Sequence, residues 1–206
     1  MAIAYPISLP AAFKLARITI RQNGTVGESV SPFSAVQQLY EHPGQWWEAE
    51  CRLPPMKRDT AEEVVAALMS LRSKLGTFLM GDPAGATARG VGGGTPVVDG
   101  AGQSGHQLAV RGLPLSTTGW LKAGDWLQLG SGSSARLHKV LVQVDSDGAG
   151  EATLDIWPRL REAPADGATV TIASCKGVWQ LSSNTFEYAI EPATIYGIAF
   201  ACRERL

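Results

Sequence analysis

The sequence predicts a mainly β protein with one α-helix, an α+β chain with a small β-barrel inserted into a discontinuous first domain. Three observations carry that expectation. The stretch Gln45 to Asp82 reads as strand, turn, helix and strand. A glycine-rich segment, 84–105, then opens a run of short strands broken by turns at about 8–12-residue spacing, the pattern of a small closed or half-closed barrel. Longer two-residue alternation returns near the C-terminus, where it suits pairing with the N-terminal strands. The expected domains are 1–84 with 176–206, and the inserted barrel at 85–175.

Along the chain, Ala16, Ile18 and Ile20 alternate with Arg17, Thr19 and Arg21, and Asn23-Gly24 is a strong hairpin-turn signal, so residues 16–30 read as a hairpin. Asn23-Gly24-Thr25 also matches a glycosylation sequon, and the turn is the simpler reading. Ser34 to Tyr40 reads as a short helical turn that His42-Pro43-Gly44 breaks. Trp46, Trp47, Ala49 and Cys51 then alternate loosely with Glu48, Glu50 and Arg52 as a half-buried strand, and Pro54-Pro55 stops it. A helix follows. Thr60 and Glu63 form a potential capping box, and Val64, Leu68, Leu71 and Leu75 share one face. Gly76 suits a left-handed residue just past its end. Thr77 to Met80 is a short apolar strand, turned by Gly81-Asp82-Pro83.

In the second module, strands are expected at Gln107–Val110, around Trp126–Leu129, at Leu137–Val144, at Ala152–Ile156 with Pro158 as terminator, and at Val170–Ala173. Gly177–Ser182, Phe186–Ile190 and Ile195–Cys202 complete the first domain.

Composition argues against several functions. The formal net charge is −1 and no Lys/Arg run exceeds Lys57-Arg58, so neither nucleic acid nor an anionic membrane is an expected partner. No apolar run approaches the ~20 residues that span a bilayer, and the N-terminus lacks the basic region of a signal peptide. Three cysteines, Cys51, Cys175 and Cys202, with no C-x-x-C, fit buried thiols in a reducing compartment, although one disulfide of unspecified pairing is possible. Synthesis and folding in a cytoplasm are expected.

Chemical motifs are sparse. Gly100-Ala-Gly-Gln-Ser-Gly105 matches G-x-G-x-x-G, but Gly112 and Pro114 follow too soon for a nucleotide-binding helix, so a flexible loop is expected. His42, His106 and His138 are scattered with no second metal ligand three or four residues on, and His138 alternates outward on its strand. Gly130-Ser-Gly-Ser-Ser is a turn, not a nucleophile elbow. The aspartates at 125, 145, 147, 155 and 166 read as turn chemistry. The expectation is no catalytic residue, no cofactor and no metal; the chain does not read as an enzyme. Trp46 and Trp47 are adjacent, so one indole must leave its own face for a sugar, a partner subunit or another layer of the same domain. Subunit contact is the commonest fate, and Trp46, Trp47 and Trp126 are the candidate subunit or partner contacts.

The pattern W-x-A-x-x-x-L-P-P-M-x-R at Trp47–Arg58, followed by L-G-T-F-L-M-G-D-P at Leu75–Pro83, resembles minor tail proteins of long-tailed bacteriophages, described as distal tail (Dit-like) proteins. The segments at Leu121–Gly130, Gly150–Arg161, Pro164–Val170 and Gly177–Leu181 extend the resemblance over roughly 45–182. It implies a β-sandwich or tail-tube-like domain with one helix, and an inserted barrel of oligonucleotide-binding (OB-like) type. It also implies a structural virion protein in a homo-oligomeric, hexameric ring at the distal tail, joining the tail tube protein to the tip, baseplate or hub proteins. Long loops such as 84–105 would order in the assembly. The alternative is a receptor- or carbohydrate-binding tail accessory that meets a host-surface glycan through the barrel.

Overall fold

The computed structural model describes residues 3–192 and 194–206. Fourteen strands and one α-helix run in the order β1 (Ile7–Ser8), β2 (Arg17–Val30), β3 (Gln37–Arg52), β4 (Met56–Lys57), α1 (Arg58–Ser70) and β5 (Phe78–Met80). Then come β6 (Val97–Val98), β7 (Gly105–Arg111), β8 (Trp126–Leu129), β9 (Arg136–Val140), β10 (Glu151–Leu160) and β11 (Val170–Thr171). The chain ends with β12 (Gly177–Leu181), β13 (Tyr188–Ile190) and β14 (Ile195–Glu204). The protein is mostly β, with a single helix among the described residues and a nearly closed six-stranded, barrel-like sheet.

The first sheet has the order β1-β5-β12-β14-β3-β2, with β4 and β13 pairing to the early part of β14. The second has the order β11-β8-β9-β10-β7-β6, and an isolated bridge between Val97 and Thr169 links its two ends. All its strands fall between β5 and β12. Those two strands are themselves antiparallel neighbours, Met80 opposite Gly177, so the barrel is an excursion between two paired strands.

Each sheet encloses its own apolar cluster. On the first, Ala49, Cys51, Phe78, Trp179, Leu181, Ile198 and Cys202 lie against Ala61, Val64, Val65, Leu68 and Leu71 of the helix region. Leu68 and Leu71 are fully buried, each removing from water a side chain whose burial contributes about 2–3 kcal/mol. Leu108, Val110, Leu127, Val140, Leu154 and Ile156 fill the barrel.

Several sequence expectations change in the folded chain. Asn23-Gly24 is not a turn: β2 runs through it, with Asn23 opposite Trp46 and Gly24 opposite Gln45. The reversal lies at Ser31–Val36, where the Ser31 amide donates to the Val36 carbonyl at 3.0 Å. The helical turn expected at Ser34–Tyr40 is therefore hairpin tip and strand. Pro43 does not break β3, because the register shifts between Gly24 and Val26 and leaves proline outside the ladder, where its missing N–H costs nothing. Pro158 likewise stays inside β10, in a register shift between Asp155 and Leu160 against β7. The strand expected over Leu137–Val144 stops at Val140, and Leu141 and Val142 are exposed.

The helix starts at Arg58, with Lys57 as its extended N-cap and no side-chain cap bond. Thr60 is inside its first turn. Pairing of β4 with Ile195 and Tyr196 delivers the chain directly into the helix, and Tyr196 Oη donates to Glu62 Oε1 at 2.8 Å. The helix also ends early. Arg72 and Ser73 take left-handed φ of 49° and 64°, which leaves Leu75 exposed rather than on the apolar face. Gly76 serves close approach: its amide donates to the Leu71 carbonyl at 2.7 Å, and a Cβ there would fall 2.5 Å from Tyr5 Cε1.

The segment 84–105 is held by the barrel itself. The amides of Val91, Gly92 and Thr95 donate to the carbonyls of Gly119, Trp120 and Gly112 at 2.9 Å each. Gly81, at the departure point of the barrel, would place a Cβ 1.9 Å from the Cys175 carbonyl oxygen. Gly81→Ala is therefore expected to lower stability by about 3 kcal/mol or more, since only backbone movement relieves the clash. Gly100→Ala, at φ +83° with nothing within 4 Å, is expected to cost only about 1–2 kcal/mol of left-handed strain. Urea unfolding of the two variants measures the difference.

Candidate functional site

Strand β3 contacts both sheets, and two features on it stand out: a buried joint at its middle and a projecting hairpin at its start. The joint begins with alternation. Trp47, Ala49 and Cys51 face inward, and beyond Ala49 the inner face meets the barrel rather than the helix. Trp47 lies edge-on to Trp126, with centroids 5.1 Å apart, and to Trp157, at 4.3 Å. Its Nε1 donates to the Leu137 carbonyl at 3.0 Å. Edge-to-face geometry sets the positive ring edge of one indole on the negative face of the next. Trp126 Nε1 donates to Asp82 Oδ2 at 3.0 Å, and Lys139 Nζ lies 4.0 Å above the Trp126 ring.

Beside the indoles is a charged clamp. Arg161 of the barrel forms a bidentate pair with Glu204 of β14, Nη1 to Oε1 at 3.0 Å and Nη2 to Oε2 at 2.6 Å. The Glu204 side chain is 1% exposed and that of Arg161 17%. Arg161 also donates to the Gln45 carbonyl, Gln45 Oε1 accepts the Arg159 amide at 2.8 Å, and Glu204 Oε2 accepts the Trp47 amide at 3.2 Å. The ion pair is thus embedded in hydrogen bonds, which offsets its desolvation.

His138, expected to point outward, is buried inside the barrel, because its ladder partner is the interior Leu127 while Leu137 and Lys139 take the outer side. His138 Nδ1 lies 2.7 Å from the Pro158 carbonyl, which makes Nδ1 the protonated nitrogen. Burial pulls its pKa down to about 4; the Pro158 carbonyl opposes the shift, and Arg161 and Arg136 add to it. Asp125 is also buried. Burial raises its carboxyl, but the amides of Lys122, Arg89 and Gly90 outweigh this and hold it below the usual carboxylate range.

The hairpin is the opposite case. Beyond Gly24 and Gly44 both strands leave the sheet, and Val26, Val30, Val36, Leu39 and Tyr40 are all exposed. Phe33 at the tip is 99% exposed. Directly opposed residues share a face, so Val26, Glu28, Val30, Gln37, Leu39 and Glu41 line one side, and Gly27, Ser29, Gln38 and Tyr40 the other. At the base, Glu41 Oε1 accepts from Gln45 Nε2 at 2.5 Å and lies 3.1 Å from His106 Nε2, while His106 Nδ1 lies 3.0 Å from the Ile156 carbonyl. His42 stands edge-on to Tyr40 on the exposed ladder.

Of the three candidate contact residues, Trp47 and Trp126 are buried against each other within one chain. They join the two sheets and leave no indole surface for another subunit. Trp46 alone stays on the outer face, half-buried, with Nε1 donating to Glu48 Oε1 at 3.1 Å. It borders a hollow of ≈250 Å³ shared with Gln180, Arg203, Arg205 and Leu206. Opposite it, Asn23 Nδ2 is buried with no acceptor. Gln45, Trp157, Arg161 and Glu204 were not legible as a unit, being up to 159 positions apart in sequence (204 − 45). A turn at Asn23-Gly24 would end β2 short of the exposed apolar hairpin, whereas the folded chain carries the strand through to Val30. Among the described residues, no three His, Cys, Asp or Glu side chains gather to hold a metal.

Two outcomes follow for the joint. Glu204→Ala is expected to cost about 3 kcal/mol in urea unfolding, because Arg161 is left charged and unpaired. The double variant with Arg161→Met should cost less than the sum of the two single changes, by at least about 1 kcal/mol. The His138 imidazole is neutral in both the folded and the unfolded chain well above pH 6.5. Between there and about pH 4 only the unfolded imidazole takes up a proton, so stability falls as pH falls, by up to about 3 kcal/mol. His138→Asn keeps a donor for Pro158 without the titration, and its urea midpoint should fall less than the wild-type midpoint between pH 7 and pH 4.5.

Comparison with protein-family models finds no match to this chain, and comparison with curated proteins finds none either.

Proposed function

We propose that this chain is a structural subunit of the tail of a long-tailed bacteriophage, a Dit-like protein that assembles with copies of itself into a hexameric ring joining the tail tube to the tip or hub. In this reading the first sheet with its helix is a tail-tube-like domain, and the barrel is an OB-like insertion carried on it. The chain catalyses no reaction; it works by binding, in the tail of the virion.

The observation that carries the reading is the projecting hairpin. Its strands are apolar on exposed positions and end in a bare phenylalanine. Exposed apolar groups clustered in this way mark surfaces that another protein covers. Among the described residues β2 also has no further strand on its outer edge, along the sheet and along the hairpin, and such edges readily accept a neighbour. The pattern of turn and strand signatures from Trp47 to Leu181 supplies the family. A sugar-binding role draws no support from the indoles, since five of the six tryptophans are buried.

Native mass spectrometry of the purified protein is expected to show a species of six copies. Labelling of this chain in intact particles should place it between tube and tip. Purified virions that lack the chain would overturn the proposal.

A further inference from the structure

The projecting hairpin has a chemical complement on the same molecule. Between Gln22 and Trp47 there is no Lys or Arg, while Glu28 and Glu41 are acidic. The outer face of the first sheet is the reverse. Along the ladder Arg17, Arg21, Arg52 and Arg203 face outward with only Glu48 and Glu50, four cations against two anions. Arg21 and Glu50 pair at 2.7 Å, which leaves Arg17 and Arg52 without a carboxylate partner among the described residues.

The same face is hollow. Ala199 and Ala201 are small outward residues of β14, and the lack of bulk there forms a depression of ≈450 Å³ walled by Arg17, Thr19, Glu50 and Arg52. It is large enough for an aromatic ring, and two guanidinium groups at its rim suit the negative face of such a ring. Phe33 is the most exposed large apolar side chain of the protein among the described residues.

The chain cannot bring its own Phe33 to this place. Arg17 and Val30 are opposite ends of one strand, about 40 Å apart at ~3.3 Å per residue. The β2–β3 ladder runs its whole length, so folding back would break it. The occupant is therefore a different molecule, and a second copy has the required charge and shape.

We propose that the hairpin of one copy lies on the outer face of the first sheet of the next, with Phe33 in the depression over Ala199 and Ala201, between Arg17 and Arg52. This rests on the ring reading above and gives it a specific contact. Because hairpin and depression are different surfaces at opposite ends of β2, the contact is head-to-tail. Each copy donates one hairpin and receives one, and the series ends only by closing on itself.

The test uses full-length protein in sedimentation velocity and native mass spectrometry. Phe33→Asp, and separately Arg17→Glu with Arg52→Glu, alter exposed side chains and should leave the thermal midpoint unchanged. Each is expected to weaken self-association at least about 30-fold, the effect of losing a central contact. Mixing the two variants should restore 1:1 dimers and nothing larger, since the mixture holds one intact hairpin and one intact depression. Wild-type-like assembly by either variant would overturn this contact and leave the ring reading standing. A wild-type protein that is monomeric at every concentration would overturn both.

Discussion

Trp47 sits between two indoles that belong to the other sheet, and the relation of every other part to its neighbours depends on that contact. The first sheet and the barrel each have their own apolar interior, so either could in principle hold together alone. What prevents them from moving as separate bodies is a shared wall. Trp126, Leu137, Trp157 and Cys175 from the barrel region belong to the apolar cluster of the first sheet. Large aromatic groups carry most of the energy of such a wall, and their edge-to-face geometry limits the angles at which it closes.

The Arg161–Glu204 pair adds direction rather than bulk stability. A buried ion pair loses much of its Coulomb attraction to desolvation, and an apolar replacement of equal volume is often as stable. Its value here is geometric. The planar guanidinium must meet the carboxylate and the Gln45 carbonyl together, which fixes the barrel in one orientation over β14 and β3. Gln45 is also where the hairpin leaves the sheet, through its bond to Glu41. One network thus sets the barrel, the first sheet and the base of the hairpin.

That rigidity bears on assembly. A two-stranded hairpin is marginal by itself in water. Here it continues a ladder whose lower half is built into the sheet, so its conformation is set before it meets anything. A preformed element loses less conformational freedom on binding than a disordered one. The exposed apolar side chains along it are a liability for an isolated molecule and an asset for one that meets copies of itself.

Local chemistry made much of the architecture legible. The alternation of Trp47, Ala49 and Cys51, the helical spacing of Val64, Leu68 and Leu71, and the short barrel strands all report burial patterns that the chain imposes within a few residues. Turn identity failed at Asn23-Gly24, because a dipeptide that tolerates a turn does not require one, and the pairing of β3 on both sides of it decided the matter. The same limit applies at Pro43 and Pro158, where register shifts removed the demand for an N–H. Nothing in the sequence marks Gln45, Trp47, Trp126, Trp157, Arg161 and Glu204 as one unit. Periodicity says that a side chain leaves one face; only the packing of a distant segment says what it meets there. That is why the indoles read as surfaces for a partner, and why the folded chain used two of them to hold itself together.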